Sequence, residues 1–234
     1  MRLLTWNIRH GGGYRVAAIA DWLGRRAPDV MVLTEARGTA PSQWLRAALA
    51  ERGFVHQATT PVDARANSVL IASRRPLRHD PLPRGLRHEP ARAAIVRCGE
   101  LRIIGLYFPA TAATVRPYFD AVLAATPRWL AGDTVMLGDF NSGQVALDCQ
   151  RPFAFTGASQ FDALLAQGWV DGWRARHGTR REYTWHSHTG NGFRIDHAFL
   201  SPTLAPRLQR ARYAHTVRER GLSDHSALVI EIAE

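Results

Sequence analysis

The residues of this chain that are equipped for chemistry sit in short polar motifs flanking apolar runs. The fullest is Gly138-Asp139-Phe140-Asn141, fed by Thr134-Val135-Met136-Leu137. Side chains alternate along a strand with a period of two, so a carboxylate at 139 and an amide at 141 point to the same side. That suits two groups acting on one water or one phosphoryl oxygen. Taken alone, such a motif is more often a plain turn. Others accompany it: Trp6-Asn7 ends the first apolar run, Thr34-Glu35 follows Val30–Leu33, and Leu106-Tyr107-Phe108-Pro109 closes a third run. Ile195-Asp196-His197 opens a strand, and Leu222-Ser223-Asp224-His225 precedes the last one.

Cleaving a phosphodiester requires a hard cation against the phosphoryl oxygens, a base for the attacking water and a donor for the developing charge. Carboxylates with an amide and waters suit Mg²⁺, which keeps much of its hydration. Glu35 is the first candidate ligand, with Asn7 and Asp224. Asp139 is the candidate base, and Asn141 would orient the water or a phosphate oxygen. His225 would stabilise the pentacovalent phosphorane, while Asp196 fixes its tautomer and raises its pKa. Tyr107 would donate to the phosphate. Each residue alone has a plainer reading: a surface carboxylate, a turn, a cap, a packing tyrosine. Their agreement at successive strand ends carries the argument.

The elements that must position them are short apolar or β-branched runs: 3–8, 30–33, 54–58, 68–73, 93–98, 101–107, 134–137, 195–200 and 227–232. Helical spacing predicts helices over 14–26, 41–52, 113–130 and 159–167, with Pro41 and Ser159 as start residues. Hairpin-like pairs mixed with β-helix-β stretches predict a mixed α/β fold, two sheets face to face with helices outside. The segment 74–92, rich in Arg and Pro, reads as a surface loop, alternatively as a basic flap for a phosphate backbone.

The chain has 234 residues, suiting one domain over 1–234, and no apolar stretch approaches the roughly 20 residues of a bilayer span. Its start reads as a strand beginning at once rather than a signal peptide. Two cysteines, Cys98 and Cys149, make no disulfide framework or zinc spacing, so a reducing, cytoplasmic setting is expected. The net charge is +10, carried by 30 arginines and no lysine. Such a surface favours a polyanionic partner. The expected partner is nucleic acid, DNA foremost, with no membrane association and a monomeric state.

These motifs, from Trp6-Asn7-Ile8 through Pro28-Asp29-Val30, Thr34-Glu35, Gly138–Asn141 and Arg194-Ile195-Asp196 to Ser223-Asp224-His225, resemble the endonuclease/exonuclease/phosphatase superfamily nearly end to end. The resemblance implies a four-layered α/β sandwich with the site at one edge of the paired sheets, Mg²⁺ or Mn²⁺ as cofactor, and the roles assigned above. Tyr107-Phe108-Pro109 is similar to the exonuclease III and abasic-site endonuclease branch, where other members carry a histidine. Tyr183-Thr184-Trp185 with Gly192–Asp196 resembles that branch's pocket for a flipped-out abasic sugar, which implies Trp185, Phe193 and Ile195 as its lining; a core role for them is the alternative. Arg9 stands where the branch usually has an acidic or amide side chain. It adds a cation to the substrate-binding set, ahead of Gly11-Gly12-Gly13, read either as a phosphate-approaching loop or as a simple turn. The expectation is a metal-dependent DNA nuclease, an abasic-site endonuclease or 3′-5′ exonuclease/3′-phosphatase. The alternative is a hydrolase of phospholipid headgroups, inositol phosphates or other small phosphoesters.

Overall fold

A computed structural model describes residues 1–60 and 66–234. Its strands are β1 Arg2–Asn7, β2 Val30–Ala36, β3 His56–Thr59, β4 Ser68–Ser73, β5 Arg78–His79, β6 Ala93–Cys98, β7 Leu101–Tyr107, β8 Thr134–Asp139, β9 Val170–Asp171, β10 Trp185–His186, β11 Gly192–Phe193, β12 Asp196–Leu200, β13 Leu208–Ala214 and β14 Ala227–Ile232. The helices are α1 Val16–Arg26, α2 Ala40–Glu51, α3 Ala112–Leu130, α4 Ala158–Ala166, α5 Gly172–His177 and α6 Thr216–Glu219.

Ten strands and the two small outer ones form two six-stranded sheets, ordered β13-β14-β1-β2-β4-β3 and β5-β6-β7-β8-β12-β9. Each is antiparallel except for one central parallel pair, β1 with β2 and β7 with β8. The strands alternate between two apolar environments, as strands buried on both faces must. On β1, Leu3 joins the core between the sheets while Leu4 and Trp6 pack under α1 and α2; on β8, Val135 and Leu137 face inward and Met136 packs under α3 and α4. The result is helices, sheet, sheet, helices. Gly105 sits where the sheets close tightly: a Cβ there would lie 2.8 Å from Val69 and 2.9 Å from Val32. Among the described residues no helix is long and apolar enough to cross a membrane.

Several expectations need correction. The first helix begins at Val16, because Gly13–Arg15 form a 3-10 turn that leaves Tyr14 outside the helix. The helix expected to start at Ser159 is capped by Gly157 instead. Strand β13 was not anticipated; its arginines face outward on a sheet edge and break the apolar run. The segment 74–92 is not wholly a loop: Arg78 and His79 pair with β6, and the 3-10 turn Arg84–His88 buries Leu86.

Candidate active site

Alternation along the strands decides which groups meet. Asn7 and Asp139 end β1 and β8, in step with the inward-facing Leu3 and Val135, so both project between the sheets. Asn7 Nδ2 donates to Asp139 Oδ2 at 3.0 Å. Both parallel pairs end here, the usual place for a ligand in an α/β fold. Glu35 requires a departure from alternation, since Met31 and Leu33 pack outward. A register shift between Thr34 and Ala36 and a left-handed backbone (φ 58°) at Glu35 redirect its side chain. Asn7 Nδ2 and Tyr107 Oη then reach Glu35 Oε1 at 3.1 and 3.3 Å.

The Gly138 position is dictated by a close approach, as a Cβ would lie 1.8 Å from the Leu106 carbonyl oxygen of the neighbouring parallel strand. Asp139 follows, 2% exposed, with the Asn141 backbone N–H donating to its Oδ1 at 3.0 Å. The Asn141 side chain adopts a different role from a direct partner of Asp139: its Nδ2 donates to the Phe108 carbonyl at 2.8 Å, which leaves its oxygen as the outward-facing group.

Across the cleft, Asp196 is in register with Asp139 on the adjacent strand β12. Its Oδ2 lies 2.9 Å from His225 Nδ1, and both residues are buried. That contact places the proton on Nδ1 and leaves Nε2 as the free nitrogen. Burial would lower the His225 pKa, but the Asp196 carboxylate outweighs it and lifts the imidazole to about 10. Burial pushes the Asp139 carboxyl up to about 7, with His225 opposing and Asp196 assisting. Burial, together with Glu35 and Asp139, also holds the Tyr107 phenol well above its ordinary pKa. Asp139 and Asp196 thus converge on His225, with Glu35 linked to them through Asn7, so acidic groups outnumber the one histidine cation.

That surplus tests the metal expectation. An oxygen-rich, electron-rich set suits a hard divalent cation. Asp139, Asp196 and His225 place ligand atoms within 4.8 Å of one another. However, His225 spends Nδ1 on Asp196 and is strongly basic, so its ring is a poor metal donor here. Glu35 is the better oxygen ligand; Asn7 turns Nδ2 toward it and gives its Oδ1 to the Arg9 N–H at 2.9 Å, so it would offer an oxygen only with its amide turned over. Asp224 stands apart from it: Asp224 Oδ2 accepts from Trp185 Nε1 at 3.3 Å and lies 3.8 Å from Arg9 Nε. Its link to Asn7 runs through Ser223, whose hydroxyl donates to the Asn7 carbonyl at 2.6 Å.

Trp185, Phe193 and Ile195 are brought together with Cys149 and Phe155 in a satellite apolar cluster. The Trp185 ring lies 5.8 Å from Phe193 and 6.3 Å from His225, so Trp185 borders the site while Phe193 and Ile195 are buried behind it. On the other side the backbone stays left-handed from Arg9 through Gly13. This turn is not a loose one: the His10 N–H donates to Glu35 Oε2 at 2.7 Å, and the Gly11 N–H to the Glu35 carbonyl at 2.7 Å.

Several residues of this neighbourhood were not among the candidate site residues. Asn67 donates to Tyr107 Oη at 3.3 Å and is held by Arg37 Nε at 2.6 Å; Arg92, from the end of the basic segment, lies 5.0 Å over the Tyr107 ring. Beneath Asp196, the fully buried Arg194 is gripped by Asp148 (2.7 and 2.9 Å) and Asp171 (2.6 Å), and Tyr213 Oη donates to the Asp196 carbonyl at 2.8 Å. The Arg194 position lay inside a motif, whereas Asp148 and Asp171, lone aspartates outside any motif, have no pattern to find.

A sequence model of the Endonuclease/Exonuclease/phosphatase family matches residues 4–225. No curated protein sequence is a significant match. Similar solved structures include an AP endonuclease from Archaeoglobus fulgidus (TM-score 0.89, 19% identity) and a 3′ phosphatase, NExo, from Neisseria bound to a product DNA hairpin (0.87, 24%). A third is the 3′-5′ exonuclease NExo from Neisseria meningitidis (0.85, 25%). In all three, 100% of both chains is covered.

Proposed function

The chain belongs to the endonuclease/exonuclease/phosphatase family, and from that premise we propose that it is a divalent-metal-dependent DNA phosphoesterase that incises at abasic sites and trims or dephosphorylates 3′ ends. The observation that carries this reading is the buried Asp139, in contact with Asn7 and the Asn141 N–H and in register with the Asp196–His225 pair. The Tyr107 motif and the three nuclease and phosphatase structures of the same fold support the branch. The charge of +10 supports the polyanionic substrate.

Glu35 would hold the cation, joined by Asn7 if its amide turns its oxygen from the Arg9 N–H and by Asp224 if it turns from Trp185. When bound, Mg²⁺ or Mn²⁺ neutralises phosphoryl oxygens and lowers the barrier to attack. The remaining chemistry belongs to the side chains. Asp139, lifted toward neutrality by burial, takes the proton of the attacking water, and Asn141 positions that water through its free oxygen. His225, held cationic by Asp196, donates from Nε2 to the oxygen on which charge develops. Tyr107 keeps its proton and is a neutral donor to the phosphate once it releases Glu35. Trp185, backed by the buried Phe193 and Ile195, would be the apolar surface that meets the sugar, and Arg9 is a cation at its rim.

The test is incubation with Mg²⁺ of two duplexes, one with a single abasic-site analogue and one with a 3′-phosphate end. Scission of the first or phosphate release from the second supports the reading. Inertness toward both, with hydrolysis of an inositol phosphate or phospholipid headgroup, replaces it.

A further inference from the structure

The outer face of the first sheet is not covered evenly. Helices α1 and α2 pack over β1, β2 and β4, through Leu4, Trp6, Met31, Leu33 and Leu70. Beyond Val229 no long helix among the described residues covers the sheet, and the outward side chains of β13 and β14 border a groove of about 580 Å³ between the end of α1 and α6. Alternation explains its chemistry. Ala211 and Ile230 turn into the core, so Arg210 and Arg212 on β13 turn outward, as do Val229 and Glu231 on β14. Arg2 joins them from β1, and Arg25 and Arg26 from the last turn of α1.

Five guanidiniums therefore face one groove against two carboxylates, Glu219 and Glu231. Glu231 is already engaged by Arg2 (3.1 Å) and Arg210 (3.6 Å). Arg25 and Arg212 are exposed, and neither guanidinium has a hydrogen-bond or ion-pair partner among the described residues. Gathering like charges costs free energy unless an anion shares the space. The floor is partly apolar, from Leu4, Ala214 and Val229.

We propose that this groove is a second binding site for the sugar–phosphate backbone of nucleic acid, outside the catalytic cleft. It takes the nucleic-acid substrate from the reading above, and adds a contact that the cleft does not supply. The distance is set by β14: Arg212 pairs with Val229, four residues after His225, and Arg210 with Glu231, six after it, roughly 13 to 20 Å at about 3.3 Å per residue. A duplex covers that distance in roughly four to six base pairs at about 3.4 Å per step. The groove thus reaches only a substrate longer than the cleft itself needs.

The experiment compares the full chain with the double variant Arg25→Ala/Arg212→Ala, by fluorescence anisotropy in EDTA, on labelled DNA hairpins with tight loops and stems of about 3 and about 20 base pairs. Each lost phosphate contact lowers the slope of log K against log salt by about 0.9, so the variant's slope on the long stem should fall by about 1.8 and its affinity at 0.1 M salt by tenfold or more. Binding of the short stem should be unchanged, as should the thermal midpoint. Equal binding of the long stem by both proteins overturns the proposal. So does an equal loss on both stems, which is diffuse electrostatics acting on the cleft. A wild type that binds long stems this way yet cleaves nothing with Mg²⁺ would sink the catalytic reading and leave the groove standing.

Discussion

Replacing Arg194 by Met tests how the site is held in place. Arg194 is fully buried and makes three hydrogen bonds to Asp148 and Asp171, two residues before Asp196. Asp171 also caps α5 through the Trp173 and Arg174 N–H groups. Methionine fills much of the volume but leaves two buried carboxylates short of charge, with the Arg174 guanidinium beside Asp148 and the His197 imidazole 3.5 Å from Asp171 as remaining neighbours. Breaking a buried pair by removing one partner costs about 3–5 kcal/mol. For a chain of this size that lowers the melting midpoint by about 6–20 °C. The pH dependence separates this cause from a packing defect. In the native protein burial alone would raise both carboxyls, but Arg194 outweighs it and holds them below the ordinary range. Their contribution is therefore complete above the unfolded value of about 3.9 and is lost as pH falls through the depressed native values. In the variant burial prevails and both carboxyls shift upward, so acid relieves the strain. Thermal melts from pH 7.5 to 5 should show the gap between the two proteins narrowing. A gap below about 1 kcal/mol at pH 7.5, or one that stays constant with pH, would refute the account.

Other substitutions address single contacts. Tyr107→Phe removes the donor to Glu35 and the acceptor for Asn67; turnover should fall by about 10- to 100-fold with an unchanged melt, and steady-state kinetics would check it. Gly138→Ala places a methyl in the Leu106 carbonyl, so the β7–β8 pairing must open; insoluble or strongly destabilised protein is expected, and a soluble variant melting like the wild type contradicts it. Glu35→Gln should raise the Mg²⁺ concentration for half-maximal activity by about tenfold or more, while EDTA abolishes activity and added Mg²⁺ restores it. A Mg²⁺ titration that superimposes on the wild type would remove Glu35 from the metal set.

Much of the layout could be read from alternation. Asn7, Tyr107 and Asp139 each end an apolar strand in step with inward residues, so their convergence follows from period two. Glu35 does not follow from it: parity places it outward, and only the bulge and left-handed backbone bring it in. The Asp196–His225 contact joins residues 29 apart, and motif order rather than pattern pointed to it. The edge strand β13 escaped because arginines occupy its solvent face, while β5, β9, β10 and β11 span two residues each, too short for any period to register. Asp148 and Asp171 gave no signal because one buried arginine, not a motif, defines their role. The same outward arginines that hid β13 now line the groove proposed as a second contact with nucleic acid.

The central claim is that Asp139 and His225 carry out metal-assisted hydrolysis of a DNA phosphoester. Single-turnover cleavage of an abasic-analogue duplex in Mg²⁺ measures it most directly, on wild type, Asp139→Asn and His225→Ala. The wild type should cut completely, and each variant should slow by at least about 10²-fold while binding the duplex as before. Wild-type rates in both variants, or rates that are unchanged when Mg²⁺ is removed by EDTA, would contradict it.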